Sequence, residues 1–204
     1  MSGFSVAIAI RGASTYVPAM SAPRLDDSLL FLARKHPRET WPSEPKLGEL
    51  GGFWLQRHDM FRRLDALIRG AADAAAARET DEVEFRRWLV RHAELMLGGL
   101  EEHHHVEDHH YFPVFRRAEP RLARGFDLLD LDHDNLHRAI GGIVDAANAY
   151  LRTKPGEGAA REALKRFRDG YVDLGAGLIA HLDDEEDLII PLLIDRGEEA
   201  VLQA

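Results

Sequence analysis

Apolar residues recur at alternating spacings of three and four along four long stretches of this 204-residue chain. Because residues three or four apart share one face of an α-helix, this spacing predicts amphipathic helices. The predicted helices cover about 47–77, 81–111, 120–151 and 159–190, and segments that are polar or contain proline or glycine connect them. Short connections between long amphipathic helices predict an all-α fold, an up-down-up-down antiparallel four-helix bundle.

The first 46 residues do not follow this pattern. Residues 1–24 show no sustained period, whereas a short helix with acidic residues at its start and basic residues at its end is predicted after Asp26. Three prolines then interrupt the chain on both sides of Trp41. We therefore expect an N-terminal extension over 1–46, made of a tail, a short helix and a proline-rich loop that covers one end of the core. A bundle domain over 47–204 is expected to follow.

The second and fourth predicted helices contain the same motif. The segments EEHHHVEDHHYFPVF and AHLDDEEDLIIPLL align without a gap when His103 is placed on His181. In this alignment Glu107 falls on Glu185, and a proline follows at the same distance after each glutamate. Residues four apart lie on one face of a helix, so each His-x-x-x-Glu copy directs one imidazole and one carboxylate the same way.

The first and third predicted helices also match each other. His58 falls on His133 in an alignment without gaps, which makes helices one and two a hairpin and helices three and four its copy. The third helix adds His137, four positions after His133, where the first helix has Arg62. A duplicated hairpin of this kind brings four helix faces together at one level.

These faces carry polar side chains within apolar stripes. The set of imidazoles and carboxylates comprises His58, His103, Glu107, His133, His137, His181 and Glu185. A buried carboxylate beside a buried imidazole is costly unless a cation binds both. Imidazole with carboxylate suits iron, and manganese or zinc less distinctively. Two six-coordinate metals offer about twelve positions, and these residues with one bridging oxygen leave about one of them open.

Composition and charge limit the kinds of partner that the chain is expected to bind. A net charge of −9 without any basic block argues against nucleic acid, and no apolar run reaches the roughly 20 residues that span a bilayer. The N-terminal sequence MSGFSVAIAI has no basic residue before its apolar run, which argues against a secretory signal, although the absence of acidic residues before Asp26 leaves a targeting role open. The chain has no cysteine, which excludes disulfides and thiolate ligands. The expectation is a cytoplasmic protein without nucleic-acid or membrane partners.

With these motifs the sequence resembles the hemerythrin-like (HHE cation-binding) family, over about residues 47–193. The residues that carry the resemblance are His58, His103-x-x-x-Glu107 followed by Phe-Pro, His133-x-x-x-His137, and His181-x-x-x-Glu185 followed by Ile-Pro. The resemblance implies a hemerythrin-like four-helix bundle that holds two iron ions joined by an oxo or hydroxo bridge. It implies that the five histidines are terminal ligands and that Glu107 and Glu185 bridge. Manganese or zinc are the substitutes for iron that the donor types also allow.

Some ligand assignments differ between relatives in this family. In animal hemerythrins the last carboxylate lies five positions after its histidine, which here is Glu186, but the internal match to Glu107 favours Glu185. His137 is not a ligand in every relative. The acidic residues around the last motif are expected to form a solvated face, from which one carboxylate is a candidate to hydrogen-bond a ligand imidazole. They are Asp183, Asp184, Glu186 and Asp187.

The remaining histidines of the second helix are interpreted separately. His105 and His109 point to a different face from His103, so we expect a solvated pair. His110 follows the apolar seam, so we expect it in the core or beside the metal ligands.

The function implied by the resemblance is binding or sensing of dioxygen or related small oxidants, or iron handling. The alternative is an enzyme that breaks down hydrogen peroxide or reduces nitric oxide at the same centre. Dioxygen, peroxide or nitric oxide is thus the expected small ligand, and a reductase of unknown identity is an expected partner. The residues do not decide between carrier, sensor and enzyme, and they leave open whether the chain forms a homodimer.

Two other classes of metal site share some of these spacings. HD-type metal-dependent phosphohydrolases use doublets such as His58–Asp59 and its copy in the third helix, but adjacent helix residues point about 100° apart. A ferritin-like site needs Glu-x-x-His on two helices, whereas the spacings that begin at Glu101 and Glu107 both lie on the second helix. Both alternatives are therefore weaker than the hemerythrin-like interpretation.

Overall fold

The computed structural model describes residues 25–204, so the predicted tail over 1–24 lies outside the described residues. The α-helices of this part are α1 (Phe31–Lys35), α2 (Glu49–Ala76), α3 (Glu82–Val106), α4 (Phe112–Ala118), α5 (Ala123–Arg152), α6 (Gly158–Arg196) and α7 (Glu198–Leu202). All regular structure over 25–204 is helical, which confirms the predicted all-α class. Helices α2, α3, α5 and α6 correspond to the four long helices that apolar periodicity predicts.

Residue contacts divide the chain into two compact units. Among the described residues, the first unit comprises Phe61–Glu102 and Asn135–Gly177. The second unit comprises 25–60, His103–Asp134 and Leu178–Ala204. Six of the seven predicted ligands belong to the second unit, and His137 belongs to the first.

The first unit has a core of aromatic and aliphatic side chains that includes Phe85, Leu89 and Phe167. One carboxylate, Asp65, is buried with them, and Arg69 pairs with it at 2.8 Å. Gly175 faces this carboxylate so closely that a Cβ there would lie 2.3 Å from Asp65 Oδ1. The glycine therefore allows the charged group to be packed between helices.

The second unit has an apolar core to which the N-terminal extension contributes. Its buried members from the extension are Leu25, Leu29, Leu32 and Trp41. They join Phe112 and Phe115 of α4, residues of α5 and a continuous run at the end of α6. A short 3-10 helix, Arg38–Ser43, carries Trp41, whose indole N–H donates to the His36 carbonyl at 2.8 Å. The extension is thus anchored in the core by apolar burial.

The two repeated prolines are accommodated differently. Before Pro113 the chain forms a π-helical turn over Glu107–Tyr111, and α4 then begins at Phe112. In the second copy α6 continues through Pro191 to Arg196, so the prediction that this helix ends near Ile190 is wrong. Proline removes one backbone donor and crowds the preceding turn. The residues just after Pro191 are fully buried, and their packing outweighs that local cost.

Candidate metal centre

Seven polar side chains of the second unit converge in two neighbouring groups. The two-histidine side consists of His58, His103, Glu107 and Glu185, whose ligand atoms lie within 4.8 Å of one another. The three-histidine side consists of His104, His133 and His181, gathered within the same distance. Six of the seven side chains are buried, and His103 is nearly so.

Histidine nitrogens face each other in pairs across each side. His58 Nε2 lies 3.2 Å from His103 Nε2, and His133 Nε2 lies 3.1 Å from His181 Nε2. Metal–imidazole bonds of about 2.1 Å at right angles would separate two ligand nitrogens by about 3 Å. Both pairs have the spacing of neighbouring ligands on one cation, and the two nitrogens of each pair are also within hydrogen-bond distance of each other when no cation is present. Each pair comes from one copy of the repeated hairpin.

The two glutamates lie between the pairs. Glu107 Oε1 is 3.0 Å from His103 Nε2, and Glu107 Oε2 is 3.6 Å from His133 Nε2. Glu185 Oε2 is 3.5 Å from both His58 Nε2 and His181 Nε2. Glu107 thus spans the two sides with its two oxygens, whereas Glu185 does so with one.

Trp54 explains why Glu185 offers a single oxygen. The indole Nε1–H donates to Glu185 Oε1 at 2.8 Å, and both side chains are buried. In the alignment of the first and third long helices, Trp54 corresponds to Leu129, which has no donor for Glu107. The hydrogen bond is therefore a difference between the two halves of the repeat.

Two histidines are oriented by carboxylates at Nδ1, the ring nitrogen that faces away from the cluster. Glu186 Oε1 lies 3.0 Å from His58 Nδ1, and Asp108 Oδ1 lies 2.6 Å from His133 Nδ1. Such contacts place the proton on Nδ1 and leave the Nε2 lone pair for a metal. The expectation that one carboxylate near Glu185 contacts an imidazole is confirmed for Glu186, but this residue is buried and does not belong to a solvated face.

These two supporting carboxylates are also related by the repeat. The alignment that places His103 on His181 also places Asp108 on Glu186. Each of them contacts the histidine of the other hairpin copy: Asp108 reaches His133, and Glu186 reaches His58. The internal symmetry predicted from the sequence therefore extends from the cluster to the groups that orient it.

A third group of candidate ligands consists of Asp108, Asp130 and His133. Arg116 forms an ion pair with Asp130, and Asp108 contacts the Nδ1 of His133. These contacts compensate both carboxylates without a cation. We therefore assign this group to the support of His133.

The donor chemistry of the two main groups fits a cation. Both oxygens of Glu107 and Oε2 of Glu185 are buried without a hydrogen bond of good geometry among the described residues, and the two carboxyl groups lie close enough to share a proton when no cation is present. Burial raises the pKa of both glutamates well above the usual value, and the neighbouring charge of Glu107 adds to the rise at Glu185. Burial lowers the pKa of His103 to about 3, so its imidazole is neutral at pH 7. A neutral imidazole beside such carboxylates belongs to a donor set that suits one or more divalent ions.

The structure brings six of the seven predicted ligands together. They are His58, His103, Glu107, His133, His181 and Glu185. His137 is exposed and belongs to none of the candidate groups found among residues 25–204. The buried stripe of α5 continues from His133 to Leu136 and Ile140, three and seven positions on. The buried face of α5 at this level passes through Leu136, and His137 lies outside it.

The other histidines of this region lie outside the cluster, with one exception. His105 and His109 are exposed, as expected, and their rings lie 4.2 Å apart. His110 is also exposed, so the expectation that it lies in the core is wrong. His104 is the exception: it is fully buried and stacks on His133 with ring centroids 4.1 Å apart.

Sequence reasoning missed His104 because it followed the ladder of residues four apart from His103. The signal that identifies it is the repeat, in which His104 corresponds to the buried Leu182. The repeat alone is not sufficient, because His110 corresponds to the buried Leu188 and is nevertheless exposed, within the π-helical turn that the other copy lacks. Asp132 was missed as well; it is fully buried, and its Oδ2 lies 3.7 Å from His181 Nδ1.

The alternative site classes fit this geometry poorly. Asp59 and Asp134, the acidic members of the His-Asp doublets, are both exposed. Glu101 and His110, which the ferritin-like spacings require, are exposed as well. Neither class therefore accounts for the groups that converge.

Comparison with known protein families gives a match that agrees with this arrangement. The hemerythrin HHE cation binding domain matches residues 52–193. The chain therefore belongs to the hemerythrin HHE cation-binding family, and its all-α fold is the one expected there. No curated protein and no solved structure matched the chain.

Membership of this family makes the chain a metal-binding protein, and the gathered histidines and glutamates are its candidate ligands. Over residues 25–204, none of the helices combines the length and the apolar character needed to cross a membrane.

Proposed function

We propose that the chain holds a pair of iron ions, one at each side of the cluster, and binds dioxygen or a related small oxidant there. The observation that carries this proposal is the position of three buried carboxylate oxygens, two on Glu107 and one on Glu185, between two pairs of histidine nitrogens. Two cations would neutralise the carboxylates and use every inward-facing nitrogen.

The ligand assignment follows from the distances. His58 and His103 would serve one metal position, and His133 and His181 the other, with Glu107 bridging through both oxygens and Glu185 through Oε2. His104 would supply the third imidazole of the second position, the role that the sequence suggested for His137.

The asymmetry of the donors indicates where a small molecule would bind. The two-histidine side offers one imidazole fewer than the three-histidine side, so its metal position has more coordination sites left for an exogenous ligand. A bound iron pair would supply reversible redox chemistry toward dioxygen, peroxide or nitric oxide. The protein residues would bind and orient the ions, and the aromatic side chains of Trp54, Phe112 and Phe115 are buried at this end of the core.

Metal analysis joined to a spectrum tests the proposal. Purified protein is loaded with iron, reduced without oxygen and then exposed to dioxygen. We expect close to two irons per chain and the near-ultraviolet absorption of a ferric pair. A content of one metal per chain, or zinc alone after loading with iron, contradicts the di-iron centre.

A second measurement separates binding from turnover. The iron-loaded protein is given hydrogen peroxide or nitric oxide in large excess, and consumption is followed over time. Consumption that stops near one equivalent per centre supports a binding or sensing role. Sustained consumption shows an enzyme and replaces the binding role.

A further inference from the structure

The N-terminal extension contacts the metal-centre region through a hydrogen-bonded chain. Arg38 donates from a terminal nitrogen to Glu186 Oε2 at 2.6 Å, and Glu186 Oε1 lies 3.0 Å from His58 Nδ1. Glu186 and His58 are buried, whereas about a third of the Arg38 side chain is exposed. Arg38, Glu186 and His58 thus form a hydrogen-bonded chain from the protein surface to His58 Nε2, a candidate metal ligand.

Arg38 itself is held in place on several sides. Its Nε donates to Asp187 Oδ1 at 2.7 Å, and its other terminal nitrogen donates to the Asp183 carbonyl at 2.5 Å. The guanidinium also lies 5.0 Å from the centre of the Trp41 ring, which is anchored in the core. A planar guanidinium that donates in three directions sets the position of Glu186 more closely than a single point charge can.

The internal repeat shows what Arg38 adds. Asp108 and Glu186 are equivalent positions that support equivalent histidines, but Arg38 lies before the first hairpin and belongs to neither copy. It therefore acts on the Glu186–His58 contact, which serves the two-histidine side.

We propose that Arg38 is a positioning residue for the metal centre, which holds Glu186 so that the imidazole of His58 keeps its proton on Nδ1 and presents Nε2 to the metal. This role rests on the proposed dinuclear site. The segment 25–46 then contributes to the metal centre. Packing of this segment against the core should favour metal binding at the two-histidine side, and metal binding there should favour the packing. Groups that orient metal-binding histidines in this way change metal affinity by roughly 10- to 100-fold.

The test compares Arg38→Ala with the wild type in an anaerobic titration of metal-free protein with ferrous iron. We expect one of two binding steps to weaken roughly 10- to 100-fold while the other is unchanged. Arg34→Ala is the matched control, because Arg34 lies in the same segment but is exposed and pairs with Asp27. Arg38→Lys, which keeps the charge and loses the planar fork, should recover only part of the affinity.

A second readout does not require metal. Nitrogen NMR of the metal-free protein reports which ring nitrogen of His58 carries the proton. We expect the Nδ1–H form in the wild type and in Arg34→Ala, and a mixture of the two forms in Arg38→Ala. If Arg38→Ala does not keep its helical signal, Glu186→Gln carries the test, with the same expected loss in one binding step.

The outcomes separate this role from the proposed function. A wild type that binds a single metal ion overturns both. A wild type that binds two, together with an Arg38→Ala variant that shows the same two affinities and the same His58 protonation, overturns the role of Arg38 alone. Equal weakening of both steps also overturns it, because that result indicates general destabilisation.

Discussion

The two sides of the cluster are built from the same kinds of side chain in different numbers. The three-histidine side has three buried imidazoles, while the two-histidine side has two imidazoles and lies beside a glutamate oxygen held by Trp54. In sequence the two halves are copies, so the differences come from single positions. His104 replaces the leucine of the other copy, and Trp54 replaces the leucine of the other hairpin.

In the proposed dinuclear centre, this difference would make one metal position bind its ion more firmly and leave the other more accessible to a small ligand. A position with more protein donors holds its ion and leaves little room for another ligand, whereas a position with fewer donors can accept a small molecule. A duplicated fold begins with two equal positions. In this chain they differ at His104, which aligns with Leu182, and at Trp54, which aligns with Leu129.

Glu107→Gln should have the largest effect on this comparison, because Glu107 is the residue whose two oxygens reach both sides. An amide keeps the shape but removes the negative charge and one acceptor. We expect loss of iron from both positions, measured as metal per chain, while the helical circular dichroism signal is retained. Glu102→Gln, an exposed glutamate of the same helix, is the control and should keep both ions. Full iron content in Glu107→Gln would contradict a bridging role.

His104→Leu should affect one side only. The change copies the residue found at the equivalent position, Leu182, so the apolar packing of the helix is preserved. We expect one tightly held iron to be lost or weakened while the two-histidine side keeps its ion. The matched variant is His137→Leu, which should retain both irons because His137 is exposed. Iron loss in His137→Leu with none in His104→Leu would restore the assignment made from sequence.

The contrast between His104 and His137 also shows how far sequence reasoning extends. Apolar periodicity predicts the long helices because a core-facing stripe is a property of the whole segment, which local exceptions do not remove. The His-x-x-x-Glu copies predict inward donors because four residues nearly complete a turn. His137 satisfies the same spacing, yet the stripe of α5 continues through Leu136 and leaves His137 outside. Spacing predicts which residues share a face and does not predict which face is buried at a given level.

Contacts between segments that are distant along the chain could not be predicted from the sequence. Nothing in the spacing of Arg38 or Trp54 relates them to Glu186 or Glu185, since each pair meets only after the chain has folded. The π-helical turn over Glu107–Tyr111 was also not predictable, because the second copy passes an equivalent proline without one. These features depend on packing, which a local pattern does not encode.

Without metal, the burial of the two glutamates should lower the free energy of unfolding in a pH-dependent way. A carboxyl group whose pKa is raised in the folded protein binds its proton more tightly when folded than when unfolded. The unfolded chain therefore loses the proton first as pH rises above the usual glutamate value, and the free energy of unfolding falls until the raised pKa is passed. Metal-free Glu107→Gln lacks this group, so its stability relative to the metal-free wild type should increase from pH 5 to pH 8.

Denaturant unfolding of the two metal-free proteins at both pH values measures this difference, which we expect to grow as the pH rises. The charge of Glu107 also raises the pKa of Glu185, and the variant lacks this rise, so the difference grows in the same direction. With iron bound, the wild type should be the more stable protein at pH 8, because binding to the folded state adds to its stability. A pH-independent difference between the metal-free proteins would show that Glu107 is not kept from solvent as the structure indicates.

Trp54→Phe should give the smallest effect and the one most specific to the two-histidine side. Phenylalanine keeps most of the ring packing against Tyr111 and Phe115 but removes the N–H that binds Glu185 Oε1. A hydrogen bond to a charged group contributes about 1.5–3 kcal/mol, so iron binding should weaken by roughly ten- to a hundredfold at most. Because Oε1 becomes available, Glu185 can then offer the metals two oxygens, as Glu107 does. The ferric absorption of the loaded variant should therefore shift.

Trp88→Phe is the control for this change and should match the wild type in both affinity and spectrum. Trp88 is suitable because its ring stacks on His92, outside the cluster. An unchanged spectrum and affinity in Trp54→Phe would mean that the single-oxygen geometry of Glu185 persists without the indole. The two sides would then differ through His104 alone, and the preference of a small ligand for the two-histidine side would depend only on the missing third imidazole.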